Sequence, residues 1–248
     1  MIFWILEGIY PLRKFKYKKW EHAKPNFILL ATTILINVIF GLATVGIFNW
    51  LDDSKFGLLN LVDLPIWMEI VLAIMILDFL AQYVVHYLLH KVRFMWRFHM
   101  VHHSDTHVDV TSGTRHHPID FVMRESFALI AIVIAGLPFA YYVLYRILTI
   151  LFTYFSHANM KLPLWLDKAI SLLFVSPNMH KFHHHFEVPW TDTNYGNIFS
   201  IWDRILGTFV YEDTIDIVYG LDILDEEKSN DIMYQLKVPF KSYKKAKP

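Results

Sequence analysis

Cysteine is absent from this chain. That excludes disulfides, thiolate zinc sites, iron–sulfur ligation and a thiol nucleophile together, so any bound metal must take nitrogen or oxygen ligands. Net charge is missing too: 23 basic residues balance 23 acidic ones, which gives no sign of a nucleic-acid partner. There is no HExxH, GxSxG, Walker or dinucleotide-binding glycine pattern, and no Glu-x-x-His pair of the kind that builds carboxylate-bridged di-iron bundles. Nor are there internal repeats, a low-complexity linker or a second catalytic domain.

What the chain has in excess is apolar surface. Its 248 residues are 55% hydrophobic and 17% aromatic, with a mean hydropathy of +0.34, well above a soluble domain. An all-α membrane protein is expected. Segment 27–50 carries no charge and is long enough to cross a hydrocarbon core of about 30 Å. Segment 67–89 opens at Trp67, contains Asp78 and Gln82, and ends on a histidine pair. Segments 121–137 and 139–155, separated by Pro138 with Gly136 beside it, read as a hairpin. The expectation is four membrane-crossing segments carrying a cytoplasmic helical cap.

Other segments read as surface elements. MIFWILEGIY is too short to span, and its basic residues follow the apolar run, so it reads as an interfacial helix and not as a signal peptide. LPLWLDKAISLLFV, stopped before Pro177, is expected to lie along the bilayer surface. We divide the chain into a basic N-terminal segment (1–26), a membrane and catalytic domain (27–210) and a polar cytoplasmic tail (211–248). The basic PLRKFKYKKWEHAK precedes the first span, and the connector after it has three aspartates against one lysine. The positive-inside rule therefore places the first span's start, and the ends bearing the histidines, in the cytoplasm.

Thirteen of the fourteen histidines lie between His86 and His185. HYLLH, HMVHH and HKFHH form three clusters, and on a helix residues three and four apart share a face. His86 with His90, His99 with His102 and His103, and His180 with His183 and His184 are thus three imidazole claws. Their eight nitrogens exceed what one zinc takes, so two metals are expected. His157 ends the returning span at the level where the claws converge, and the open positions of two six-coordinate metals favour its joining them. His185 points about 100° away from His184 and is the poorest ligand of its tract. His22 reads as an ordinary polar residue at a helix end. His107, His116 and His117 lie in one loop, where partners for ligand nitrogens or a substrate gate are favoured over direct ligation. Asp78 and Arg146 sit in apolar segments, either as structural ion pairs with each other or Glu125, or as functional charges.

The run from Asp78 through HYLLH, MWRFHMVHHSD, DVTSGTRHHP, FSHAN, SPNMHKFHHH and NYGNIFSIWDRILGT closely resembles the fatty acid hydroxylase family, also called the sterol desaturase family. The likeness covers roughly residues 70 to 210, with Tyr87 a departure where many members carry arginine. It implies an integral-membrane enzyme holding two iron ions, with zinc as a possible substitute, and using O2. The implied ligands are His86, His90, His99, His102, His103, His157, His180, His183 and His184. Asp78, His107, Asp109, Arg115, His116, His117 and Asn194 are expected to support the ligands or gate the substrate. A membrane lipid would be hydroxylated or desaturated. Electrons would come from a separate protein docking near Lys91, Arg93 and Arg97 or on the lysine-rich C-terminus. Fatty acyl lipids, sterols, hopanoids, carotenoids and ether lipids all stay open as substrates, as does the oligomeric state. The competing class is a non-redox metalloprotein, a metal transporter or a zinc-dependent lipid enzyme. A transporter places its ligands near mid-membrane, whereas these gather at one interface.

Overall fold

The computed structural model describes residues 1–212 and 217–243, all in helices, turns and loops, with no strand among them. Helix α1 (Ile2–Ile9) exposes Ile2, Ile5 and Ile9, and buries Glu7. Its carboxylate accepts the backbone N–H groups of Val110, at 2.9 Å, and Asn159, at 3.0 Å. Helix α2 (Lys19–Ser54) makes the end of the basic segment and the first span one continuous rod, so the boundary expected at residue 26 falls inside a helix. Ile34, Leu35, Val38, Ile39 and Leu42 face outward from it, the side-chain distribution of a lipid-facing surface.

Helix α3 (Ile66–Asp78) passes through a π turn at Phe79–Val84 into α4 (Val85–Lys91). A π turn adds a residue to the helical repeat and so resets the face on which later residues point; here it sets the direction of His86 and His90. Val92 adopts extended geometry, and α5 (Arg93–His103) turns back beneath α4. Helices α6 (Pro118–Ala135) and α7 (Phe139–His157) follow one another across the expected turn, but both pack against α3 more than against each other, so the pair is splayed and not a closed hairpin. Gly136 caps α6 at φ +65° and packs against the backbone of Phe56 and Gly57 so closely that neither glycine has room for a Cβ. Leu51, Leu77, Ile132 and Tyr145 form the core between α2, α3, α6 and α7, with Ala128, Ala131 and Ala135 allowing close approach of α6.

Three stretches, Lys19–Leu61, Ile66–Lys91 and Phe139–His157, are long and apolar enough to cross a membrane. Helix α6, counted as a fourth crossing from the run 121–137, is not one of the three: that run already carries Arg124 and Glu125, and the helix begins earlier and adds Asp120. The surface helix expected over the LPLWLDKAISLLFV segment is shorter: α8 (Leu164–Ile170) ends at Ile170 and carries the buried Asp167 at its middle. Asp167 accepts from Ser176 Oγ at 2.6 Å, Asn178 N at 3.2 Å and Tyr211 Oη at 2.9 Å, anchoring the start of α9 (Pro177–His183). Helix α10 (Ile201–Ile205) follows, and α11 (Ile232–Lys237) lies in a tail that packs as a cap. Leu221 and Val238 close over Leu29, Trp96, Met100 and Val101. The end of the lysine-rich segment, 244–248, lies outside the described residues.

Candidate metal centre

Helices α4, α5, α7 and α9 bring all nine expected histidines together in two groups. His86, His90, His99, His103 and His183 form one, and His102, His157, His180 and His184 the other; in each, one nitrogen per ring lies within 4.8 Å of every other. Adjacent residues of one claw are split between the groups, because neighbours on a helix diverge by about 100°: His102 turns to one and His103 to the other, and likewise His184 and His183. His185 belongs to neither group and stacks on Phe186.

Nε2 of His86 lies 3.1 Å from Nε2 of His99. In the second group the Nε2 atoms of His102, His180 and His184 stand 3.2, 3.1 and 3.2 Å from that of His157. Both nitrogens of His103, Nε2 of His90 and of His183, and Nδ1 of His102 and His180 are buried without a hydrogen-bond partner. Imidazole lone pairs facing one another at such distances repel, and buried unpaired nitrogens are costly. A cation between them removes the repulsion and satisfies the nitrogens that face inward, so this donor set fits a pair of transition-metal ions of the kind nitrogen ligands favour. Burial pushes His99 down to about 3 and holds His102, His103, His180, His183 and His184 well below their ordinary range. These rings are therefore neutral, the form that binds metal.

Five of the rings also have a polar group at their outward nitrogen. Nδ1 of His86 meets the Tyr195 carbonyl at 2.9 Å, that of His157 the Thr153 carbonyl at 2.7 Å, and that of His183 the Thr193 carbonyl at 2.8 Å. Nδ1 of His99 lies 3.2 Å from Asp120, and that of His90 lies 3.4 Å from Asp192. Such contacts fix ring tautomer and orientation and aim Nε2 at a metal. Asp203 accepts from Tyr195 N at 2.7 Å, Gly196 N at 2.9 Å and Thr208 Oγ1 at 2.8 Å. The NYG and WDR–GT elements are thus two halves of one contact that fixes the carbonyl holding His86.

The supporting residues expected from sequence divide sharply. His116 stacks on His102 with ring centres 4.8 Å apart and meets Asp120 at 3.0 Å through Nδ1. Arg115, fully buried, donates to the carbonyls of Val101, at 3.1 Å, and Ser229, and to Asn26 Oδ1 at 3.0 Å, holding the end of α5. Asn194 ties Met179 O to the backbone of Val210 and so steadies α9. The others serve elsewhere. Asp78 accepts from Ile198 N, Phe199 N and Trp202 Nε1 and pairs with neither Arg146 nor Glu125, because loop amides satisfy it. His117 caps α6 through Ile119 N. His107 stacks on Tyr17, and Asp109 accepts from Tyr17 Oη at 2.6 Å.

His22 differs from its sequence reading. It is buried, with Nε2 2.7 Å from Asp105 and Nδ1 3.2 Å from Asp109. Four further residues carry weight that sequence reading passed over. Asp120 had a usable signal, standing four residues after His116 in the first turn of α6. Asp192, Arg124 and Lys181 had none. Lys181 is buried and donates to Ala158 O at 2.8 Å, joining the residue after His157 to α9.

An all-helical chain with membrane-length apolar helices and two buried histidine groups defines a membrane protein built to hold metal. The family model described as fatty acid hydroxylase matches residues 70–208. The chain belongs to the fatty acid hydroxylase family. It is 30% identical over 115 residues to the ornithine lipid hydroxylase of Rhizobium tropici, covering 46% of this chain and 34% of that protein. It is 27% identical over 145 residues to the alkylglycerol monooxygenase of Caenorhabditis elegans, covering 57% and 27%, and 27% identical over 127 residues to the human one, covering 51% and 27%. The chain thus spans about a third or less of the length of these relatives. No solved structure matches it.

Proposed function

We propose that this protein is a membrane di-iron oxygenase that hydroxylates or desaturates a lipid, using O2 and electrons from a separate protein. The convergence of nine buried histidines into two groups carries the reading. Ligation would come from His86, His90, His99, His103 and His183 for one iron and from His102, His157, His180 and His184 for the other. Iron in such a set supplies the oxidising power to break an unactivated C–H bond. Each hydroxylation consumes one O2, two electrons and two protons, and the second oxygen atom leaves as water; each desaturation consumes the same and releases two waters.

The chain's own residues supply placement and exclusion. Carbonyls and carboxylates hold the rings, the cap formed by Leu221 and Val238 closes over α5, and a cavity of about 240 Å³ between α2, α6 and α7 reaches His86, His102, His157 and His180. Electrons have a short way in at Asp192, which meets Lys91 at 2.6 Å and His90 at 3.4 Å. With exposed Arg93 this gives a cationic docking edge. We place the histidine ends of the helices in the cytoplasm on the charge asymmetry of the flanking segments.

Comparative lipidomics of cells with and without the gene, joined to metal analysis of the purified protein, tests the reading. Iron loading should give O2-dependent lipid oxidation, and zinc loading an intact but inactive protein, because zinc does not change oxidation state. Anaerobic turnover by the zinc form would replace the oxygenase reading with a non-redox one.

A further inference from the structure

His116 lies beside the two histidine groups and belongs to neither. Its Nδ1 is 3.0 Å from Asp120 Oδ2, the oxygen that also meets Nδ1 of His99 at 3.2 Å, while Asp120 Oδ1 accepts from Nε of Arg124 at 3.1 Å. An ionised carboxylate only accepts, so both imidazoles carry a proton on Nδ1 and present a bare lone pair at Nε2. His99 uses that lone pair in the five-histidine group, where it faces Nε2 of His86 at 3.1 Å. Nε2 of His116 has no hydrogen-bond partner among the described residues.

Position gives that lone pair a use. The His116 ring lies parallel to His102, a member of the four-histidine group, with 10° between planes and 4.8 Å between centres. It also lines the cavity that reaches His102, His157 and His180. Four nitrogens leave a six-coordinate ion more open positions than five do, so the group beside His116 is the one with more room for a ligand from outside the protein. A methylene has no proton to donate and would leave Nε2 unsatisfied. A further cation between His116 and Asp120 is opposed by the Arg124 guanidinium, which already sits on that carboxylate. Water on a metal ion suits the place: the cation draws charge from its O–H bonds and makes it a strong donor.

We propose that His116 is a positioning residue whose Nε2 accepts a hydrogen bond from water at an open position of the four-histidine metal, and so sets how readily a small molecule displaces that water beside the cavity. This rests on the two-metal site of the oxygenase reading but on no step of its chemistry. The stack on His102 would by itself make His116 a brace, and a brace needs a flat ring but no nitrogen.

Azide titration of the cobalt-loaded full-length protein separates the two roles, because azide displaces water from the metal and cobalt absorption reports the exchange. His116→Phe keeps a flat ring for the stack and lacks the acceptor. It should hold as much cobalt as the wild type and bind azide about tenfold more tightly, since the water to be displaced has lost one hydrogen bond of about 1.4 kcal/mol. His116→Gln, whose side-chain carbonyl supplies an acceptor, should bring the affinity back toward the wild-type value. Should the Phe variant lose cobalt, His116→Leu takes its place in the comparison; loss of cobalt from both would make His116 a ligand and overturn the proposal. Azide binding that is equal or weaker without the acceptor overturns it as well and leaves His116 a brace, as does a Gln variant that behaves like the Phe one. A wild type that binds no cobalt ends the two-metal reading and this inference with it, whereas the expected azide series in a protein whose iron form oxidises no lipid counts against the oxygenase alone.

Discussion

Asp120 faces Nδ1 of His99 at 3.2 Å, on the ring whose opposite edge meets His86. The same carboxylate meets His116 and Arg124. Burial alone would push its pKa up, but Arg124 and His99 beside it hold it well below the usual carboxylate range, so it stays ionised. Asp120→Asn should weaken metal binding by the five-histidine group about 10–100-fold. Metal titration of the purified variant measures this, and wild-type affinity would show that His99 is oriented without it.

His103→Ala and His184→Ala should each lower bound metal and abolish activity, since His103 has no partner for either nitrogen and His184 meets His157 at 3.2 Å. His185→Ala should keep its metal. Loss of metal from the His185 variant alone would show that the ligand register is wrong.

His22→Ala should destabilise the fold by about 3 kcal/mol, because it leaves Asp105 and Asp109 buried without their shared partner. Thermal unfolding reads the loss, and the fraction that remains folded should retain its metal. A neutral effect would restore the reading of His22 as an ordinary helix-end residue.

The metal-free protein should lose stability as pH falls. His99 has an ordinary value of 6.5 and is pushed down to about 3 by burial. The unfolded chain therefore binds more protons than the folded one between those values, and the folded state's advantage, full above 6.5, drains away below it. Unfolding curves of the metal-free form from pH 7 to pH 4 should show this slope, and a flat profile would mean that the rings take up protons as readily folded as unfolded.

Arg146→Met should cost about 3–5 kcal/mol, because it strands Glu125, now paired at 2.7 Å, in an apolar setting. The double variant Arg146→Met, Glu125→Gln should recover most of that loss. A double variant as weak as the single one would place the contribution of Arg146 in its contact with Asn37, at 2.8 Å.

The sequence by itself determined the class of this protein and the donor set of its site. Apolar runs report membrane-length helices because their length must match a hydrocarbon core, and histidines three and four apart report shared faces because the helical repeat is fixed. Both are local properties. Tertiary structure alone decided how the claws are divided, with His102 and His103 serving different groups, because that depends on which helix stands opposite each face. It also decided that Asp192, distant in sequence, meets His90, that Asp78 is satisfied by loop amides, and that His22 is buried between two aspartates. A charged residue's role is set by what surrounds it once the chain has closed, and no spacing along the chain encodes that.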